Sequence, residues 1–175
     1  MATDRDLLQM SRRVGERLLT ARRRLATAES CTGGWIAKAI TDVAGSSEWF
    51  ESGYVTYSNS TKIRDLGVSE ATLARHGAVS EATVREMAAG ALRVSGADVS
   101  VAVSGIAGPG GGTAEKPVGL VWFCVAVSRG AANQLVSKVE TFPGDREAVR
   151  RGAVEYALQL VLNLELSTRS GLSGP

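Results

Sequence analysis

Leu25-Ala26-Thr27-Ala28-Glu29-Ser30-Cys31-Thr32-Gly33-Gly34-Trp35-Ile36 is the stretch from which the fold is read. Leu25 to Glu29 predicts a short strand. Two glycines then interrupt it, and Trp35, Ile36, Ala39 and Ile40 recur at helical spacing. A strand that turns directly into an apolar helix is the opening of a layered α/β unit. Upstream, Leu7, Met10, Val14 and Leu18 alternate with Arg12, Arg13 and Arg17 as one amphipathic helix. Downstream, Ser52 to Ser58 predicts a second strand, with Asn59 or Ser60 capping a short helix that holds Lys62 and Ile63. Helices follow over 69–76 and 80–95. Val99, Val101 and Val103 mark a buried strand ending at Ser104. Residues 118–127 and 134–141 flank a turn as a hairpin, which makes the sheet mixed, and 144–166 reads as a closing helix. The expected architecture is one α/β/α domain over residues 1–166, with 167–175 as a frayed tail.

Bulk properties narrow the function. The 175 residues suit a single domain, and 44% hydrophobic against 22% charged residues is globular composition. Twenty basic and eighteen acidic side chains leave a net charge of +2, too even for a dedicated nucleic-acid binder. The run Arg22-Arg23-Arg24 reads as a solvated helix end in preference to an anion site. No stretch of 18 uninterrupted apolar residues exists to cross a membrane, and the charged N-terminus is unlike a secretory signal, so the cytoplasm is the expected compartment. Cys31 and Cys124 form no metal-ligand spacing, and neither disulfide nor metal is expected. A single histidine, His76, rules out any histidine-rich metal site. It sits in Leu-Ala-Arg-His-Gly, which reads as the last turn of a helix, so a hydrolytic base here is expected to be something else.

Three loops follow predicted strands, where sites of open α/β sheets gather. In the first, Ser30 could simply cap the next helix, or the unpaired amides of the following turn could serve as an oxyanion hole or a phosphate cradle, the two glycines favouring close approach of a ligand. Alternation along the strand sends Cys31 toward the core if Ser30 faces the cleft. The second loop, Tyr57-Ser58-Asn59-Ser60-Thr61-Lys62, is dense in hydroxyls. Its lysine is one of four against sixteen arginines. Only lysine can lose its proton near neutrality and serve as a base, although a surface lysine is the plainer reading. The third, Ser104-Gly105-Ile106-Ala107-Gly108-Pro109-Gly110-Gly111-Gly112, is glycine-rich without a P-loop or dinucleotide fingerprint. In Gly144-Asp145-Arg146, Asp145 suits a helix start and Arg146 could reach an anion, while Arg150 and Arg151 read as solvated.

Taken together, Ala28–Gly34, Tyr57-Ser58-Asn59 with Lys62, Ser104–Gly111, Lys116-Pro117-Val118-Gly119 and Gly144-Asp145-Arg146 closely resemble the CinA C-terminal domain family, from about residue 5 to 166. The chain looks like its stand-alone form. The resemblance implies a three-layer α/β/α domain with a mixed, mostly parallel five-stranded sheet. It also implies hydrolysis of the carboxamide of nicotinamide mononucleotide without metal or organic cofactor, commonly in homo-oligomers. Some relatives are known only as competence or damage-inducible proteins, so a silent nucleotide-binding regulator is the alternative. The resemblance places the nucleophile on Ser30, the base on Lys62 and a relaying or orienting role on Tyr57. The substrate is expected against Thr32, Gly33, Gly34, Ser104, Gly105, Gly108, Gly110 and Arg146. Ser104 stands where many relatives carry threonine, and the hydroxyl is retained.

Overall fold

The computed structural model describes residues 2–130 and 132–166; the expected tail at 167–175 lies outside them. Five strands, β1 (Leu25–Glu29), β2 (Phe50–Val55), β3 (Val99–Gly105), β4 (Leu120–Arg129) and β5 (Ala132–Thr141), form one sheet in the order β2-β1-β3-β4-β5. The pairs β1–β2 and β1–β3 are parallel, while β3–β4 and β4–β5 are antiparallel. The sheet is mixed, as expected, and only β4 runs against the other four strands. Helices α1 (Asp4–Ala21), α2 (Trp35–Thr41) and α6 (Arg146–Leu162) cover one face. The other carries α3 (Asn59–Leu66), α4 (Glu70–His76) and α5 (Glu81–Ser95).

The period-two alternation of the strands explains why the two faces differ. Leu25, Val99, Val101, Val103, Val121, Phe123, Val125 and Val127 meet Val14, Leu18, Ile36, Val154 and Leu158 on the first. Ala26, Ala28, Ala102, Cys124 and Ala126 face the second, where small side chains let α5 come close enough for Ser100 Oγ to donate to the Ala88 carbonyl at 2.7 Å. The Arg22–Arg24 run is not simply solvated. Arg22 closes α1 in a left-handed conformation, Arg23 is largely buried beside Asp98, and Arg24 pairs with Glu51 at 2.7 Å.

Three boundaries differ from the sequence reading. Strand β2 ends at Val55, where its partner β1 ends at Glu29, and the chain then leaves the sheet. Ser58, not Asn59 or Ser60, caps α3, its hydroxyl accepting from the Thr61 amide at 3.2 Å. Helix α6 starts only at Arg146 because Asp145 is its cap, accepting from the Ala148 amide at 2.9 Å, and it stops at Leu162. His76 ends α4 before Gly77, as its context predicted.

Candidate active site

Strand β1 positions the first residue. By alternation Glu29 points with Leu25 and Thr27 toward the α1–α2–α6 side. Ser30 emerges on the opposite side, and Cys31 returns to the first core, where it is buried. Burial raises the Cys31 thiol to about 12. A thiol held protonated in this way is no nucleophile at neutral pH.

Helix α3 positions the second residue. Lys62 is 1% exposed, and its Nζ lies 3.1 Å from Ser30 Oγ, 2.7 Å from the Thr56 carbonyl oxygen and 3.4 Å from that of Tyr57. No carboxylate is recorded on this amine among the described residues. Burial pushes its pKa down from 10.5 to about 8. A lysine ammonium has three N–H donors, matched here by three acceptors. When it loses one proton, the two carbonyls retain their donors and the freed lone pair faces the serine hydroxyl.

Ser30 and Lys62 share a cavity of about 190 Å³ with Tyr57, Ala78, Val79, Ser104, Gly105 and Arg146. His76 is not among its lining residues. Ser104 lies on the floor, its hydroxyl donating to the Ala78 carbonyl at 2.8 Å. Gly105 lets β4 approach, since a Cβ there would meet Val121 Cγ2 at 2.6 Å and the Leu120 carbonyl at 2.7 Å. At the rim, Arg146 donates to the Gly108 carbonyl at 2.7 Å and to the Tyr57 hydroxyl at 2.9 Å. The Tyr57 phenol is thus held by Arg146, and it is the tyrosine's backbone carbonyl that meets Lys62. Gly110 is open, with nothing within 4 Å of a Cβ placed on it.

The turn after Ser30 departs from the expected row of free amides. Glu29 is fully buried, and its carboxylate accepts from the amides of Gly34 (3.0 Å), Ile36 (3.0 Å) and Ala37 (2.8 Å) and from the Thr32 hydroxyl (2.7 Å). This buried carboxylate, not Ser30, caps α2, and Gly34 can enter the helix only because it adopts φ +93°. The Gly33 amide donates to the Ser30 carbonyl at 3.0 Å, and the Ser30 amide to Val103. Among the described residues, the Cys31 and Thr32 amides are those of the turn that donate to no protein acceptor. Of the donors expected at Thr32, Gly33 and Gly34, those of Gly33 and Gly34 are thus taken up by the Ser30 carbonyl and the Glu29 carboxylate. Arg150, expected in solvent, instead reaches the turn from α6 and donates to the carbonyls of Cys31 (3.1 Å) and Thr32 (2.7 Å).

A buried lysine thus lies against a serine at the end of a parallel strand, in a three-layer α/β/α sandwich. Comparison with known proteins gives the family. The CinA C-terminal domain model matches residues 7–164, and the chain belongs to that family. The chain is 58% identical over 157 residues to the nicotinamide-nucleotide amidohydrolase PncC of Escherichia coli K12, covering 90% of this chain and 93% of that protein. Against PncC of Pseudomonas putida it is 52% identical over 155 residues, covering 89% and 94%. Among solved structures, the competence/damage-inducible protein of Agrobacterium tumefaciens superposes with a TM-score of 0.86 at 41% identity, covering 94% of this chain and 98% of that one. The Klebsiella pneumoniae competence damage-inducible protein A gives 0.84 at 43% identity, covering 89% and 94%.

Proposed function

We propose that this chain hydrolyses the carboxamide of nicotinamide mononucleotide to nicotinate mononucleotide and ammonia, with Ser30 as nucleophile and Lys62 as base. The names of the E. coli and P. putida relatives support the substrate. The observation that carries the mechanism is the 3.1 Å contact between Ser30 Oγ and a buried amine with no carboxylate to hold its proton. Neutral Lys62 takes the proton from Ser30 as its oxygen attacks the carboxamide carbon. The carbonyl oxygen becomes an oxyanion, to which this reading assigns the unpaired amides of Cys31, which lines the cavity, and of Thr32, the next residue of the turn and itself fully buried. A well-aimed donor of this kind contributes about 3–4 kcal/mol. Lys62 returns its proton to the departing nitrogen, ammonia leaves, and a nicotinoyl ester remains on Ser30. Water, deprotonated by the same amine, then cleaves the ester and restores the serine.

The cavity volume agrees with this division of the substrate. An apolar cavity of about 150 Å³ holds one benzene-sized ring, so about 190 Å³ accommodates a pyridine ring with its carboxamide but not a whole nucleotide. Ribose and phosphate would then lie at the rim, against Tyr57, Arg146 and the Gly108–Gly112 loop. Purified protein should release ammonia from nicotinamide mononucleotide, and Ser30→Ala should fold and release none. Full turnover by that variant refutes the serine mechanism. Tight nucleotide binding by wild type with no ammonia refutes the enzyme reading in favour of a regulator, the role suggested by the competence-damage inducible naming of other relatives.

A further inference from the structure

We infer that Arg150 is the positioning residue of the oxyanion site, aligning and polarising the unpaired amides of Cys31 and Thr32 through the peptides of the nucleophile turn. This rests on the amidohydrolase reading above. Arg150 pairs with no carboxylate among the described residues. Its hydrogen-bond partners are two successive carbonyls, those of Cys31 and Thr32, and its guanidinium lies 5.3 Å from the centre of the Trp35 ring. Neighbouring Arg151, by contrast, is held by Asp4 and Glu147.

The connectivity gives the arginine its effect. A trans peptide unit is planar, with its N–H opposite its C=O. The carbonyl of Cys31 accepts from Arg150 Nε, and the N–H on the far side of that same peptide is the unpaired amide of the buried Thr32. The carbonyl of Thr32 accepts from Arg150 Nη2, and the N–H of that peptide belongs to Gly33, which donates to the Ser30 carbonyl. The Ser30 carbonyl in turn shares its peptide with the open Cys31 amide. Two relays, one of a single peptide and one of two, therefore run from the same cation to the two unpaired donors. Linked hydrogen bonds polarise one another in a low-dielectric setting, so a fixed positive charge on the carbonyl ends strengthens the N–H ends. It also holds both peptides against rotation.

The contribution matters when negative charge develops on the substrate oxygen, and little before. Losing a whole oxyanion donor costs about 10²–10³ in kcat, so weakening two should cost about 10- to 100-fold. Steady-state ammonia release from nicotinamide mononucleotide tests this with Arg150→Met and Arg150→Ala. The expected result is a kcat lowered at least tenfold, a KM within about twofold of wild type and an unmoved pH midpoint of kcat/KM, that midpoint belonging to Lys62. Millimolar guanidinium should restore part of the Arg150→Ala rate. Should the methionine variant not fold, Arg150→Lys, which keeps a charge but cannot span both carbonyls, should show the same kcat-selective loss in milder form. Active wild type with an unchanged kcat in the folded variants overturns the inference alone. So does a loss that only follows the folded fraction and is not relieved by guanidinium. Wild type that releases no ammonia overturns the amidohydrolase reading, and this inference falls with it.

Discussion

Replacing Lys62 by methionine should uncouple stability from pH. In the folded protein burial holds this amine at about 8, against 10.5 for an ordinary lysine. At about 1.4 kcal/mol for each pH unit, the difference corresponds to about 3 kcal/mol of folding free energy. Below pH 8 the side chain is charged in both folded and unfolded chains, and the folded state bears the full cost of a buried ammonium. Between pH 8 and 10.5 the unfolded chain carries a proton that the folded one lacks, so stability rises with pH. Above 10.5 the amine is neutral in both, and the cost is gone. Lys62→Met has no such group. It does leave the Thr56 and Tyr57 carbonyls without their donor, a loss of about 1 kcal/mol each that hardly varies with pH. Urea unfolding of both proteins at pH 7, 8.5 and 10 should therefore show wild type gaining about 2–3 kcal/mol on the variant across that range. Wild-type kcat/KM should climb with pH up to about 8 and level off above it, the variant remaining inactive. Stability curves that stay parallel from pH 7 to 10 would refute the depressed lysine and, with it, the base assigned to the serine.

Lys62→Arg should abolish ammonia release while keeping the charge, because a guanidinium does not give up its proton near neutrality; measurable turnover would reduce Lys62 to an electrostatic role. Glu29→Gln places an amide where a carboxylate accepts four donors at or below 3.0 Å, and chemical denaturation should show a loss of about 3 kcal/mol. Arg146→Ala should raise the KM for nicotinamide mononucleotide more than it lowers kcat, and leave the KM for the corresponding phosphate-free riboside nearly unchanged; equal effects on both substrates would remove the phosphate from its reach. Cys31→Ala should retain most turnover, and iodoacetamide should label native Cys31 far more slowly than the unfolded chain, since the thiol is buried and protonated.

Much of this site could be read from the chain because alternation is a local rule. Once Leu25 to Glu29 is a strand, the opposite directions of Ser30 and Cys31 follow, and with them which of the two can meet a ligand. The lysine was singled out by the resemblance more than by its own chemistry: its place in a hydroxyl-rich loop of a chain that favours arginine only made a base conceivable, with a surface lysine the plainer reading. Glu29 was missed because an acid at the end of a short strand reads as a surface residue. The available signal was that glycines stand directly before α2, leaving Ser30 four residues short of its cap position at Gly34, so its amides needed an acceptor from elsewhere. Arg150 was missed because, with Arg151, it was read as solvated on the body of the closing helix. Its spacing from Arg146 by four residues puts both on one face of the helix, and the first of them was already assigned to the cleft. The end of β2 depends on how long its neighbour β1 is, which is set by pairing between distant segments and not by residues 52–58 themselves.

That Lys62 is anchored, apart from Ser30, by main-chain oxygens has a consequence for how this centre tolerates change. Every residue type supplies a carbonyl, so exchanging Thr56 or Tyr57 for another amino acid leaves the amine's two anchors where they were. What the arrangement does not tolerate is a change of count: adding or deleting one residue between strand β2 and helix α3 would carry the ammonium out of register with the alcohol. Drift in sequence leaves those two anchors in place, and drift in length removes them.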